Sequence, residues 1–258
     1  MNCELRRKIV TMITRAGEGH IPSAFSIVDI IAAIFAKHLT FDPERPDLPE
    51  RDYFILSKGH GCAALYVVLE RHGFITQHDL DEYGNFTGIL GGHPDRTKVP
   101  GVEASTGSLG HGLSFAIGVA LGQKIQSRPG RVYVLVGDGE CHEGTVWEAA
   151  LVGQNLNLDN LCCIVDLNDS AAQILPHPDI VAQWKAFGWE VEEVDGHDDE
   201  ALDEVLERYK NSERSKPTAI IARTVKGKGV SFLETHGPWH HKIPNEKEYN
   251  DIMRELSE

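Results

Sequence analysis

Apolar residues fall into two kinds of run along the chain. Leu5, Ile9, Met12 and Ile13 recur at helical spacing. Ile27, Ile30, Ile31, Ile34 and Phe35 repeat the pattern, with Ser26 predicted as the cap before them. Asp42-Pro43-Glu44-Arg45-Pro46-Asp47-Leu48-Pro49 interrupts it, because proline lacks the amide donor a helix needs. Tyr53-Phe54-Ile55-Leu56 reads as a short buried strand that ends at Ser57-Lys58-Gly59-His60-Gly61, with a helix from about 62 to 72 behind it. Residues 86–101 carry Gly, Pro and charge without periodicity, so a loop is expected there.

Beyond Leu109 the alternation becomes regular. Helices are predicted over 115–124, 145–154, 180–187 and 200–209, and strands over 132–136, 161–165, 190–194 and 218–222. Strands separated by helices of this length require right-handed crossovers and a parallel sheet covered on both faces. Val132-Tyr133-Val134-Leu135-Val136 is apolar throughout, as a central parallel strand should be. The expectation is an α/β fold, a doubly wound and mostly parallel sheet, in one domain over 1–258. A polar tail begins at about 230 and closes with an acidic helix over 246–258.

Composition narrows the function classes. A chain of 258 residues can bury the core of one such domain. Its net charge of −14 argues against nucleic acid as a partner, since phosphate backbones need a basic face. No run of 18 apolar residues occurs, so no membrane span is expected. The basic start, Arg6-Arg7-Lys8, leads into an amphipathic pattern rather than the apolar stretch of a secretory leader. Five cysteines, none in C-x-x-C spacing and two adjacent at Cys162-Cys163, suit reduced thiols in the cytoplasm better than a disulfide framework.

Ligands of open parallel sheets sit at the carboxyl ends of the strands. Gly137-Asp138-Gly139-Glu140 follows the most apolar strand, where glycine permits close backbone approach to a phosphate and Asp138 offers a hard oxygen ligand. A plain Asp-Gly turn accounts equally well for the tetrapeptide alone. The end of the next strand, Val165-Asp166-Leu167-Asn168-Asp169, puts Asn168 one strand–helix–strand step beyond Asp138. Carboxylate, amide and backbone oxygens together with diphosphate would complete the octahedral shell of Mg²⁺.

G-D-G followed after about thirty residues by N resembles the binding signature of thiamine diphosphate enzymes. Further segments make the chain similar to the N-terminal half of the transketolase family, in order and over nearly its whole length. These are Gly19-His20-Ile21-Pro22-Ser23, Leu56-Ser57-Lys58-Gly59-His60, Gly91-Gly92-His93-Pro94, Ser105-Thr106-Gly107-Ser108-Leu109-Gly110-His111-Gly112, and Asp138-Gly139-Glu140 through Trp147-Glu148-Ala149. The resemblance implies that Asp138, Asn168 and the Ser170 carbonyl bind Mg²⁺, which Ca²⁺ can replace. It implies that Gly139, Asn168 and His60 contact the diphosphate and that Gly107 and Leu109 present backbone to the cofactor rings. His20 and His93 would face substrate hydroxyls, and His240 would touch both cofactor and substrate. His111, His142 and His241 read as ordinary surface or core histidines. Lys226-Gly227-Lys228-Gly229 reads as either a sugar-phosphate contact or a solvated loop.

Two features depart from the family pattern: His241 stands where glycine is expected, and Asp169-Ser170-Ala171-Ala172 replaces a more usual stretch. The family also needs a pyrimidine-binding domain whose glutamate activates the cofactor, and no second α/β unit follows here. A split enzyme with a separate C-terminal subunit carrying that glutamate, two copies of each chain, is therefore expected, in preference to a shortened chain. Such an enzyme would move a two-carbon ketol unit between sugar phosphates, and this chain alone would be inactive. The alternatives are a subunit of a deoxyxylulose-phosphate synthase-like or 2-oxo acid decarboxylating enzyme, and a non-catalytic thiamine diphosphate-binding protein. The three histidines at 20, 60 and 93 favour a polyhydroxylated ketose.

Overall fold

The computed structural model describes residues 2–176, 179–234 and 238–257. Five strands form one sheet: β1 (Tyr53–Leu56), β2 (Val132–Gly137), β3 (Leu161–Leu167), β4 (Glu190–Asp195) and β5 (Thr218–Arg223). Their order is β1-β2-β3-β5-β4, and every pairing is parallel. Helices α1 (Cys3–Ala16), α2 (Ile21–Ala33), α3 (Cys62–Arg71) and the short α4 (Gln77–Asp81) build one layer. Helices α5 (His111–Ile125), α6 (Gly144–Asn155) and α7 (Ile180–Ala186) cover the other face. Helix α8 (Asp199–Asn211) joins the first layer, and α9 (Glu246–Glu255) packs on α1. The doubly wound α/β fold is the one the sequence pattern predicts.

Alternation along each strand divides the apolar runs between two cores. Val132, Val134 and Val136 join α5, α6 and α7, while Tyr133 and Leu135 face the α1–α3 side. Cys162 and Cys163 likewise point to opposite faces, so adjacency in sequence separates them in space. All five cysteines are free thiols, and only Cys3 is not fully buried. The same alternation turns Asp166 of β3 toward α2, where it is completely buried.

Three local expectations change. Helix α2 begins at Ile21, with Pro22 in its first turn where the missing amide costs nothing. Ser26 is therefore an interior residue rather than a cap, and its hydroxyl donates to Asp166 at 2.6 Å. Helix α5 starts at His111, four residues before the periodic stretch, because its first turn is set by docking to the turn after β1. The segment beyond Gly229 is not a detached polar tail: Val230, Leu233, Trp239, Ile252 and Leu256 are buried in the first core. A capping box between Asn245 and Glu248 starts α9. Glu258, the end of the expected tail helix, lies outside the described residues.

Helix α2 continues through a π-helical turn at Ile34–His38. The window Ile21–His38 has a mean hydropathy of 1.4, long and apolar enough to cross a membrane by composition, and 83% of it is buried inside the protein. That burial, under the sheet and against α3, accounts for its apolarity.

Candidate functional site

The turns after β1, β2, β3 and β5 meet at the carboxyl edge of the sheet, beside the start of α2. The segment before α5 is tied to the turn after β1, since the Thr106 hydroxyl donates to the Leu56 carbonyl at 2.6 Å and the Gly112 amide donates to Ser57 Oγ at 3.1 Å. Gly59 makes this contact possible: a Cβ there would stand 2.8 Å from the Thr106 backbone. Glu140, buried behind Asp138, accepts the Gly110 amide at 2.8 Å, the Gly137 amide at 3.0 Å and the Ser57 hydroxyl. Burial pushes its carboxyl above the usual range, and those three bonds oppose the shift. One carboxylate thus ties Gly110, next to Leu109, and the turn after β1 to the turn that carries Asp138 and Gly139.

Asn168 follows β3 and is nearly buried. Its Nδ2 donates inward to Ser26 Oγ at 3.1 Å and to Asp166 at 3.0 Å, so its amide oxygen faces the turn, where it accepts the Ser170 amide at 3.1 Å. Asp169 takes a left-handed φ of 57° that folds Ser170 back over Asn168. Asp138, Asn168 and the Ser170 backbone are oxygen donors suited to a hard cation. Among the described residues no group of three or more His, Cys, Asp or Glu side chains is placed to hold a metal, so a cation here needs these mixed oxygens and a ligand's own. A cavity of about 430 Å³ opens beside them, lined by Asp138, Leu167, Asp169 and Ala172. A second cavity, about 330 Å³ and lined by Phe35, Phe41, Phe54 and Phe74, contains none of the candidate residues.

The site shifts its charged groups in both directions. Burial, then the neighbouring Asp166, raises the Asp138 carboxyl above its ordinary range. Burial, then Lys58, lowers the Lys226 ammonium. Lys58 itself is buried and paired with Asp166. A carboxylate pushed up and an ammonium pushed down thus lie in one site, and a cation carrying an anion would relieve both shifts.

Four imidazoles gather above this turn. The ring of His20 lies 5.3 Å from that of His60, 5.0 Å from His240 and 4.7 Å from His241. His20 Nδ1 stands 2.9 Å from the His240 carbonyl, which can only accept, so Nδ1 carries the proton and Nε2 remains a base. His240 Nδ1 lies 3.1 Å from Lys226 Nζ, which as an ammonium only donates; Nδ1 therefore accepts and Nε2–H is left as a donor. Lys226 also donates to Ser170 Oγ at 3.4 Å, joining the imidazoles to the oxygen-donor turn. Burial is the largest cause holding His20 below the ordinary imidazole range, His60 down to about 2 and His240 to about 4. His93 sits on an exposed loop against Gly107, near enough for its charge to depress His20.

The structure therefore brings His20, His60, His93, Gly107, Leu109, Asp138, Gly139, Asn168, Ser170 and His240 to one edge of the sheet. Sequence reasoning set His241 aside as ordinary, whereas its ring is among the nearest to His20. It left Lys226 between a phosphate contact and a solvated loop, whereas Lys226 is half-buried at the centre of the site. Glu140, Lys58 and Asp166 were not singled out, although each stands inside or beside a quoted motif; their roles depend on burial, which no local spacing reveals.

This fold and site define an α/β domain that binds a cofactor at its strand ends. The family described as "Transketolase, thiamine diphosphate binding domain" matches residues 3–255, and the chain belongs to that family. It is 37% identical over 260 residues to an apulose-4-phosphate transketolase subunit of Phocaeicola vulgatus, covering 98% of this chain and 91% of the relative. It is 35% identical to the 6-deoxy-6-sulfo-D-fructose transketolase subunit SqwG of a Clostridium species, covering 98% and 93%. The solved transketolase of Leishmania mexicana superposes with a TM-score of 0.92 at 29% identity, over 99% of this chain but 40% of that one. The chain thus spans less than half of that transketolase and nearly all of the relatives named as subunits.

Proposed function

We propose that the chain is the diphosphate-binding subunit of a two-chain transketolase that passes a two-carbon ketol unit from a ketose phosphate to an aldose phosphate. The observation that carries this reading is the position of Lys226, which touches both Ser170 of the oxygen-donor turn and His240 of the imidazole cluster and so makes them one site. The near-complete coverage of relatives named as transketolase subunits supports it. The site fits the group: Asp138, the Asn168 amide oxygen and the Ser170 carbonyl would hold Mg²⁺, or Ca²⁺ in its place. Gly139, Asn168, His60 and Lys226 would receive the diphosphate, and the backbone of Gly107 and Leu109 would meet the rings. Such a pair of charges relieves the raised Asp138 and the lowered Lys226 together.

When bound, thiamine diphosphate supplies a carbon nucleophile and an electron sink for cleaving the bond next to a ketose carbonyl. The chain's own residues orient the sugar and handle its protons. His20 Nε2 accepts the proton of a substrate hydroxyl, and His240 Nε2–H donates toward a substrate oxygen; both rings are neutral near pH 7. His93, on the exposed side, orients a further hydroxyl. A separate chain supplies the pyrimidine-binding domain and the activating glutamate, with two copies of each chain in the assembly. The free thiols suit the reducing cytoplasm as its place of work.

Calorimetric titration of thiamine diphosphate with and without Mg²⁺, in the presence and absence of a candidate second subunit, tests this reading. Binding should require Mg²⁺, vanish in Asp138→Ala and tighten with the second subunit, whose addition should also start ketol transfer. Absence of both binding and transfer in every mixture would remove the catalytic assignment and leave a shared fold.

A further inference from the structure

A buried charged cluster that this function does not use lies behind the loop bearing Lys226. Arg6 of α1 and Asp29 of α2 are both fully buried and paired bidentately, Nη1 and Nη2 donating to the carboxylate at 2.9 and 2.7 Å. Nη2 also donates to the Phe25 carbonyl at 3.0 Å, and Nε donates to the Lys228 carbonyl at 2.9 Å. His197, between β4 and α8, stands with Nδ1 2.9 Å from Asp29 Oδ2, while its Nε2 accepts the Val225 amide at 2.9 Å. That amide fixes the tautomer: Nε2 is unprotonated, so Nδ1–H donates to Asp29. The Gly227 amide donates to the Pro22 carbonyl at 3.1 Å. Backbone groups at 225, 227 and 228 are therefore all held, on both sides of residue 226.

A buried ion pair of this kind adds little net stability, because the cost of removing both charges from water offsets their attraction. What it supplies here is direction. Lysine has a long, freely rotating stem, and its ammonium reaches a fixed point only if its backbone is fixed first. We infer that Arg6, Asp29 and His197 are positioning residues that clamp the Val225–Lys228 backbone so that the Lys226 ammonium stands where the diphosphate is received. This rests on the reading of the site as a diphosphate site. It concerns residues from three distant segments that touch neither the oxygen-donor turn nor the imidazoles.

The test is calorimetric titration of the full chain with Mg²⁺ and inorganic pyrophosphate, which needs neither turnover nor a second chain. Lys226→Met should weaken binding about 10- to 100-fold, the range of one charge-assisted hydrogen bond. His197→Leu should weaken it about tenfold in the wild-type background and less than about twofold in Lys226→Met, because a clamp acts only through the lysine it places. His197→Gln, whose carboxamide can accept from Val225 and donate to Asp29, should bind within about threefold of wild type. A purely structural role predicts equal losses in both backgrounds, and that result would overturn the proposal. Should His197→Leu not fold, Arg6→Met with Asp29→Leu removes both buried charges together and is expected to fold and to show the same coupling to Lys226; additivity there overturns it equally. If Lys226→Met binds as wild type while Asp138→Ala does not bind, the clamp proposal fails and the diphosphate site stands. If wild type binds neither pyrophosphate nor thiamine diphosphate, both fail.

Discussion

His20 and His240 are chemically identical side chains whose neighbours give them opposite roles. A carbonyl beside one Nδ1 leaves a base at Nε2, and an ammonium beside the other leaves a donor. Their neighbour His60 carries the strongest consequence for stability. Burial, then Lys58, His20 and His240, hold it at about 2, whereas an unfolded imidazole titrates near 6.5. Below pH 6.5 the unfolded chain therefore binds a proton that the folded chain refuses. Stability is complete above pH 6.5 and falls as the pH drops, by at most about 1.4 kcal/mol per unit for one imidazole. Urea midpoints measured from pH 7.5 to pH 5 should decline, and His60→Gln should flatten that decline. An equal slope in the variant would mean that His60 titrates normally. The presence of these histidines in Gly- and Pro-flanked loops was legible in the sequence; their protonation was not, because it is set by burial and by neighbours that the fold brings up, such as Lys226 and His240 beside His20 and His60, more than a hundred positions away.

At the scale of elements, the central strands were read from unbroken apolar runs and the edge strand β4 from its place in the alternation of strands and helices, and each strand proved to be one or two residues longer than predicted or equal to it. Helix starts were read less well. The first turn of α5 carries no periodic signal, since it is placed by contact: a Cβ on Gly112 would stand 2.3 Å from Ser57 Oγ and 2.6 Å from Ser57 Cα. Gly112→Ala should therefore cost about 1–3 kcal/mol by overpacking, and should weaken cofactor binding by displacing residues 107–110. Gly118→Ala, on the outer face of the same helix with nothing within 4 Å, should be neutral or stabilising by up to about 1 kcal/mol. Thermal melts of the two variants decide the matter. Equal behaviour would show that α5 does not depend on this close approach.

Across the whole molecule, the outer surface of α5 and α6 exposes Phe115, Leu151, Val152 and Leu156, each more than two-fifths accessible. Large apolar side chains are costly to leave in water, and on the two-chain reading proposed above this is the surface the second subunit would cover. On the two-chain reading, Phe115→Asp should abolish association with the second subunit in light scattering and leave the melting of the chain itself unchanged. Association of the variant at wild-type strength would move the interface elsewhere.

What the sequence by itself determined was whatever contiguous residues can encode. This includes the doubly wound order of elements, the apolar strands, and the thirty-residue step that sets Asp138 and Asn168 at adjacent strand ends. Spacing along a chain controls all of these. Only the tertiary structure decided which charged groups are buried and what they face. It turned Ser26 from a cap into a partner of Asp166, brought His241 to His20, and set Lys226 between Ser170 and His240. It joined Arg6 to Lys228 across 222 residues and His197 to Asp29 across 168. The reason is physical: desolvation and Coulomb energies depend on distances through space, and segments this far apart acquire those distances only when the sheet has closed between its two layers of helices.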